Sequence, residues 1–234
     1  MESINSLIKK DILNYRELEI IDAQKFYEDK WKSVPETTFY KTFSRLDEIG
    51  DLKRIAKGVY CKPRKGRFGI VLPNEKNILD HYLGKERNKG VLRGYRLYNK
   101  LGLTTQISKT IGIYSTEIVN NTKSINEVKI NKINITLNDQ TIRLIELLEV
   151  LQNFRKIEDL NSYRFKSVMK DSIKSYTDHS LDQILQAINY KKSTIASLQV
   201  VLNHFGVANG ISKHLNSTSF YKTINMEAFD ETTQ

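Results

Sequence analysis

Residues 33–67 read SVPETTFYKTFSRLDEIGDLKRIAKGVYCKPRKGR. Phe39, Phe43 and Leu46 recur at i, i+4 and i+7, the apolar stripe of an amphipathic helix. Ser33 and Glu36 have the S-x-x-E spacing of a capping box, and Pro35 suits a first turn because its missing N–H is not needed there. Ile49-Gly50 closes the helix. Thr37, Tyr40, Lys41, Ser44 and Arg45 fall on the remaining faces. Such a set can touch base edges and phosphates together, since Arg reads guanine bidentately and a hydroxyl accommodates either base. Leu52 to Ile55 and Gly58 to Cys61 then alternate loosely about Ala56-Lys57-Gly58, which predicts a short hairpin. Lys53, Arg54, Lys57, Lys62, Arg64, Lys65 and Arg67 decorate it.

Working outward toward the N-terminus, Ile4, Leu7, Ile8 and Ile12 keep helical spacing over residues 4–14. Asp22 can cap a second helix reaching Trp31, with Phe26 and Tyr27 as its bulk. Three helices and a hairpin within residues 1–66 predict a winged helix-turn-helix domain, whose third helix would lie in the major groove of duplex DNA. In that reading Thr37, Lys41, Ser44 and Arg45 read bases. Tyr40, Lys53, Arg54, Lys57, Lys62 and Arg64 bind phosphates.

Charge placement agrees with a polyanionic partner. The chain has 234 residues and a formal net charge of +10. Residues 1–52 hold 8 Lys+Arg against 11 Asp+Glu, residues 53–109 hold 15 against 3, and residues 110–234 hold 14 against 13. A solvated face normally mixes signs, so a block this one-sided points to a polyanion, either nucleic acid (DNA or RNA) or, as the lesser alternative, an acidic membrane surface. A lone cysteine, Cys61, excludes an intramolecular disulfide and fits a reducing cytoplasm. Its expected role is a strand residue of the hairpin. No apolar run approaches a membrane span, and the first residues lack the features of a signal peptide.

Two segments carry a family resemblance. Residues 54–64, RIAKGVYCKPR, resemble the wing of the AbiEi-like antitoxins of bacterial type IV toxin–antitoxin and abortive-infection systems. Residues 93–106, RGYRLYNKLGLTTQ, resemble the helix and LGLSTQ turn that open that family's second domain. The resemblance covers roughly residues 5–140. It implies a transcriptional repressor that binds inverted repeats in its own promoter, as a monomer or a cooperative assembly. It also implies an antitoxin to a nucleotidyltransferase-type toxin, with a direct toxin complex left open and a role in phage defence.

Beyond the hairpin, glycine and proline in residues 66–73 predict a domain junction. A mixed α/β domain is expected over residues 74–215, with a helical C-terminal part and a flexible tail over 216–234. The overall class is α+β. Helices are expected over residues 74–83 and 91–101, and a buried strand over 110–118. A hairpin is expected about Asn131-Lys132, and a buried helix over 141–154 behind Asn138-Asp139. Further helices are expected over 165–170, 181–190 and 193–205, the last capped by Ser193. On the helix over 91–101, Arg93, Arg96 and Lys100 share one side, either a solvated basic face or a second nucleic-acid face. No motif predicts an enzyme, metal or cofactor. The four histidines lack metal-ligand spacing, Asp178-His179-Ser180 cannot face one another as a triad, and no phosphate-binding G-x-x-x-x-G-K-[ST] occurs. Two rivals to the repressor remain: a module that binds its toxin through protein contacts, and an RNA-binding module.

Overall fold

The structure, a computed structural model, describes residues 3–230. It is a mixed α+β protein whose chain forms two compact units. In chain order the elements begin with α1 (Ile4–Leu13), β1 (Ile20–Asp22), α2 (Ala23–Phe26, continued by a π turn to Trp31) and α3 (Glu36–Glu48). Strands β2 (Lys53–Ala56), β3 (Val59–Cys61), β4 (Arg64–Gly66) and β5 (Gly69–Val71) follow, then α4 (Glu75–Leu83). Next come β6 (Gly90–Arg93), α5 (Gly94–Lys100), β7 (Ile111–Ser115), β8 (Thr122–Ile125) and β9 (Val128–Lys132). The last long helices are α6 (Asp139–Asn153), α7 (Ser162–Ser172), α8 (Asp178–Ala187) and α9 (Lys192–His204). Among the described residues no helix is long and apolar enough to cross a membrane.

The first unit runs through Lys89 and takes back Glu117–Lys132. Its core forms where the apolar stripes meet: Ile8 and Ile12 of α1, Phe26 of α2, and Phe39, Phe43 and Leu46 of α3 are all buried. Phe26, Phe39, Phe43 and Tyr60 pack ring to ring, with Phe39 and Phe43 centroids 4.9 Å apart and Phe43 and Tyr60 5.0 Å apart. Asp22 caps α2 by accepting from the Lys25 amide, as its position predicts. The capping box of Ser33 and Glu36 does not form. The helix begins at Glu36 with Pro35 as its cap residue, so Ser33 lies two residues too early to reach an orphan N–H. Ile4 and Leu7, expected on the buried stripe, are exposed.

The predicted hairpin is β2–β3, turning at Lys57-Gly58, where Gly58 takes φ +69. Strand β1, which the sequence pattern did not reveal, pairs antiparallel with β3 to give the order β1-β3-β2. Three consecutive buried residues, Ile20 to Asp22, show neither of the periods that mark an amphipathic element. A second hairpin, β4–β5, occupies the stretch where a junction was expected. The division between units falls instead at Lys89 and Gly90, so the 66/74 boundary is corrected. Glycine and proline there mark a tight turn rather than a linker.

Residues 117–132 fold with the first unit because their polar groups find partners in it. Glu117 pairs with Lys25 at 3.2 Å and Lys89 at 3.4 Å. Asn120 donates to Gln24 at 3.0 Å, and the Lys123 ammonium sinks onto the Asp22 carboxylate, both almost fully buried. The predicted hairpin shifts upstream: β8 and β9 turn at Asn126, which takes φ +50, and residues 133–137 form no strand. Asn is one of the few non-glycine residues that tolerate that conformation.

The second unit comprises Gly90–Thr116 and the chain from Ile133 onward. Helix α6 is its axis. Leu144, Ile145, Leu147, Leu148, Val150 and Leu151 are buried, the mark of a helix surrounded on most sides. Helices α7, α8 and α9 and strand β6 pack on it. Asn138 and Thr141 close its capping box, each side chain accepting from the other's backbone amide. The cap expected of Ser193 does not form, because α9 already starts at Lys192. The segment expected to be a flexible tail is held in part: Ile224 and Met226 are buried, Ile224 N–H donates to Ser197 Oγ, and the Phe229 ring lies 5.0 Å from Phe165.

Candidate nucleic-acid interface

Burial of Phe39, Thr42, Phe43 and Leu46 leaves one outer edge of α3 exposed: Thr37, Lys41, Ser44, Arg45 and Glu48. The four residues expected to read bases therefore all reach solvent. Thr42 cannot, since its hydroxyl donates to Thr38 O and Asn5 Oδ1. Tyr40 is half-buried between Phe39 and Tyr27, and burial, then the nearby Glu36, raise its phenol. Tyr27 in turn donates to Val34 O at 2.9 Å, stapling the turn that sets the entry of α3. The edge carries Lys41 and Arg45 against Glu48, and Glu36 is exposed in the first turn outside it, so the edge itself has little net charge. The first unit's excess of positive charge lies elsewhere.

The hairpins supply it. Seven cations and no acid lie between Lys53 and Asn74. Arg54, Lys57 and Arg64 are exposed. Lys53 and Lys62 are tied into the fold. Lys53 donates to Asp47 O at 3.2 Å and pairs with its carboxylate. Lys62 donates to Leu13 O at 2.6 Å, where the carbonyls ending α1 attract a cation. Beside α3 an open cleft of about 560 Å³ is walled by Tyr40, by Arg54, Lys57 and Tyr60 of the hairpin, and by Asn120, Thr122 and Ser124 of the returning segment. Amide, hydroxyl and cationic donors thus converge on one hollow. The segment's contribution escaped the sequence reading, because nothing local in residues 120–124 tells which unit they join.

Arg93, Arg96 and Lys100 do not form a second basic face. Residues 90–93 are a strand, and the helix starts only at Gly94, whose φ of +62 breaks the continuity. Arg93 Nε donates to Glu149 Oε2 at 3.0 Å, with Glu149 1% exposed, and its guanidinium lies 4.1 Å from the Tyr114 ring centroid. Lys100 pairs with Glu146 at 2.6 Å. Arg96 and Lys100 are exposed on the helix, but with Arg93 held on the strand before it and Lys100 paired to Glu146 the three do not present one solvated basic face.

The LGLTTQ turn is structural. Asn99 Nδ2 donates to Thr104 O and Gln106 O, Thr104 Oγ1 donates to Glu158 O at 2.6 Å, and Gly102 takes φ +71. These bonds pin the end of α5 to the loop before α7. Cys61 is fully buried, and burial pushes its thiol up to about 11. Among the described residues no group of three or more His, Cys, Asp or Glu could hold a metal ion.

A family model described as a family of unknown function (DUF6088) matches residues 25–195, most of the chain. The chain belongs to that family. No curated protein matches it. Among solved structures, the crystal structure of the RV2827C protein from Mycobacterium tuberculosis is similar at 13% identity and a TM-score of 0.38, over 86% of this chain and 76% of that one.

Proposed function

We propose that the chain is a sequence-specific DNA-binding repressor whose first unit is a winged helix-turn-helix. Helices α2 and α3 are its helix-turn-helix, and β2–β3 is its wing. The observation that carries this reading is the polar edge of α3 set beside hairpins that hold seven cations and no acid. A recognition edge of low net charge with separate cationic clamps suits a protein that must discriminate: phosphate contacts position it, and base contacts specify. Thr37, Lys41, Ser44 and Arg45 read base edges in the major groove, and Arg54, Lys57 and Arg64 clamp phosphates.

The resemblance of residues 54–64 and 93–106 to AbiEi-like antitoxins extends the proposal. The operator is an inverted repeat in the chain's own promoter, and the second unit counteracts a nucleotidyltransferase-type toxin in the cytoplasm. The test is a gel shift of the full chain on its upstream intergenic DNA and on a scrambled duplex, each at two salt concentrations. The repressor reading expects at least ~10³-fold preference for the native fragment at the higher salt. Equal binding that collapses with salt for both duplexes refutes it, because that is the signature of counterion release without base readout. Displacement by structured RNA but not by the native fragment would favour an RNA partner instead.

A further inference from the structure

Strands β4 and β5 make a ribbon with no counterpart in the expected domain plan. Arg64 pairs with Val71, Lys65 with Ile70 and Gly66 with Gly69, leaving Arg67-Phe68 as the two-residue turn. The Phe68 side chain is fully exposed at this tip, and Ile70 is 53% exposed behind it. Lys65 and Arg67 flank the ring, and the first acid after it is Glu75. The pair next to the tip is glycine on both strands. Gly69 needs its freedom for φ +118, and a Cβ on Gly66 would press to 3.1 Å from Val71 Cγ2. Two positions without a Cβ keep the tip narrow, so that the Phe68 ring projects beyond the ribbon.

A lone aromatic ring on a narrow cationic tip is the arrangement by which minor-groove proteins wedge open a base step while cations hold the phosphates. We propose that the β4–β5 ribbon is a second DNA-contacting element and that Phe68 enters the minor groove, partly unstacks one base step and kinks the duplex. Lys65 and Arg67 hold the phosphates on either side. The inference rests on the DNA-binding reading of the first unit. Duplex DNA is favoured over a lipid surface because the cationic run is continuous with the Arg54 and Lys57 clamps, and one ring on a turn offers little apolar area to a bilayer.

The test uses the full chain and a duplex of about 30 base pairs from its own upstream DNA, end-labelled for energy transfer, with 2-aminopurine placed at successive steps. A kink of about 20–90° and a local rise in 2-aminopurine emission are expected with the wild-type chain. Phe68→Ala should lose the kink and about tenfold in affinity with an unchanged salt slope. Phe68→Leu should retain the kink, since leucine also serves as a wedge. Lys65→Ala/Arg67→Ala should keep the kink and lower the salt slope by about two. Phe68 touches no core, so all variants should melt with the wild type. If Phe68→Ala binds and kinks DNA as the wild type does, the wedge is overturned while the repressor reading stands. A wild-type chain that binds no duplex sinks both. Loss of binding to phosphatidylserine-containing vesicles in Phe68→Ala, with DNA binding intact, would reassign the tip to a membrane.

Discussion

Arg93→Met separates a structural cation from a DNA-binding one. The wild-type Arg93 side chain is 28% exposed and its guanidinium bonds Glu149, whose side chain is 1% exposed. Removing one partner of such a pair strands the other charge in the interior, at about 3–5 kcal/mol. Glu149 keeps the Tyr114 hydroxyl as a donor at 3.1 Å, so the lower end applies, about 3 kcal/mol. For a chain of this size each kcal/mol lowers Tm by about 2–4 °C, giving a fall of about 6–12 °C. Arg93→Met/Glu149→Gln should recover much of it, because the stranded charge is gone, and the double-mutant cycle should return a coupling above about 1 kcal/mol. Circular dichroism melts read the stability, and a gel-shift salt titration run below the variant's melting range reads the DNA contact. The reasoning is refuted if Arg93→Met melts with the wild type while the salt slope falls by about one. That result would place Arg93 on a phosphate.

Lys57→Ala should leave Tm unchanged and lower the salt slope by about one with sequence preference intact. Lys62→Ala should instead cost about 1.5–3 kcal/mol, because a charged hydrogen bond to the end of α1 is lost, as a urea melt would register. Burial lowers the pKa of part-buried His81 from 6.5 to about 4, while Glu117 pulls it up and Lys89 pushes it down. The unfolded chain therefore takes up this proton first as pH falls. The stability His81 contributes is full above pH 6.5 and is lost toward pH 4, no more than about 3 kcal/mol in all. His81→Phe should flatten that part of the stability–pH curve, and an identical slope in both proteins would contradict the burial. Cys61 should resist iodoacetamide at pH 8 until the chain is unfolded, as a mass-spectrometric time course would reveal.

What the sequence determined by itself is whatever a local period encodes. The stripe of Phe39, Phe43 and Leu46 forecast both the buried side of α3 and its polar edge. Gly58 forecast a turn, Asn138 a cap, and the one-sided charge block the exposed cations of Arg54, Lys57 and Arg64. Only the tertiary structure decided which cations are spent inside the fold. Arg93 and Lys100 read as a basic face until Glu149 and Glu146, on a helix far along the chain, arrive beside them. Lys62 reads as a clamp until Leu13 O meets it. The same holds for the return of residues 117–132 to the first unit and for the docking of Ile224 and Met226. Periodicity reports how a segment faces its neighbours. The identity of the neighbour is set by packing between residues distant in sequence, where an unpaired buried charge or an exposed apolar side chain finds its lowest free energy.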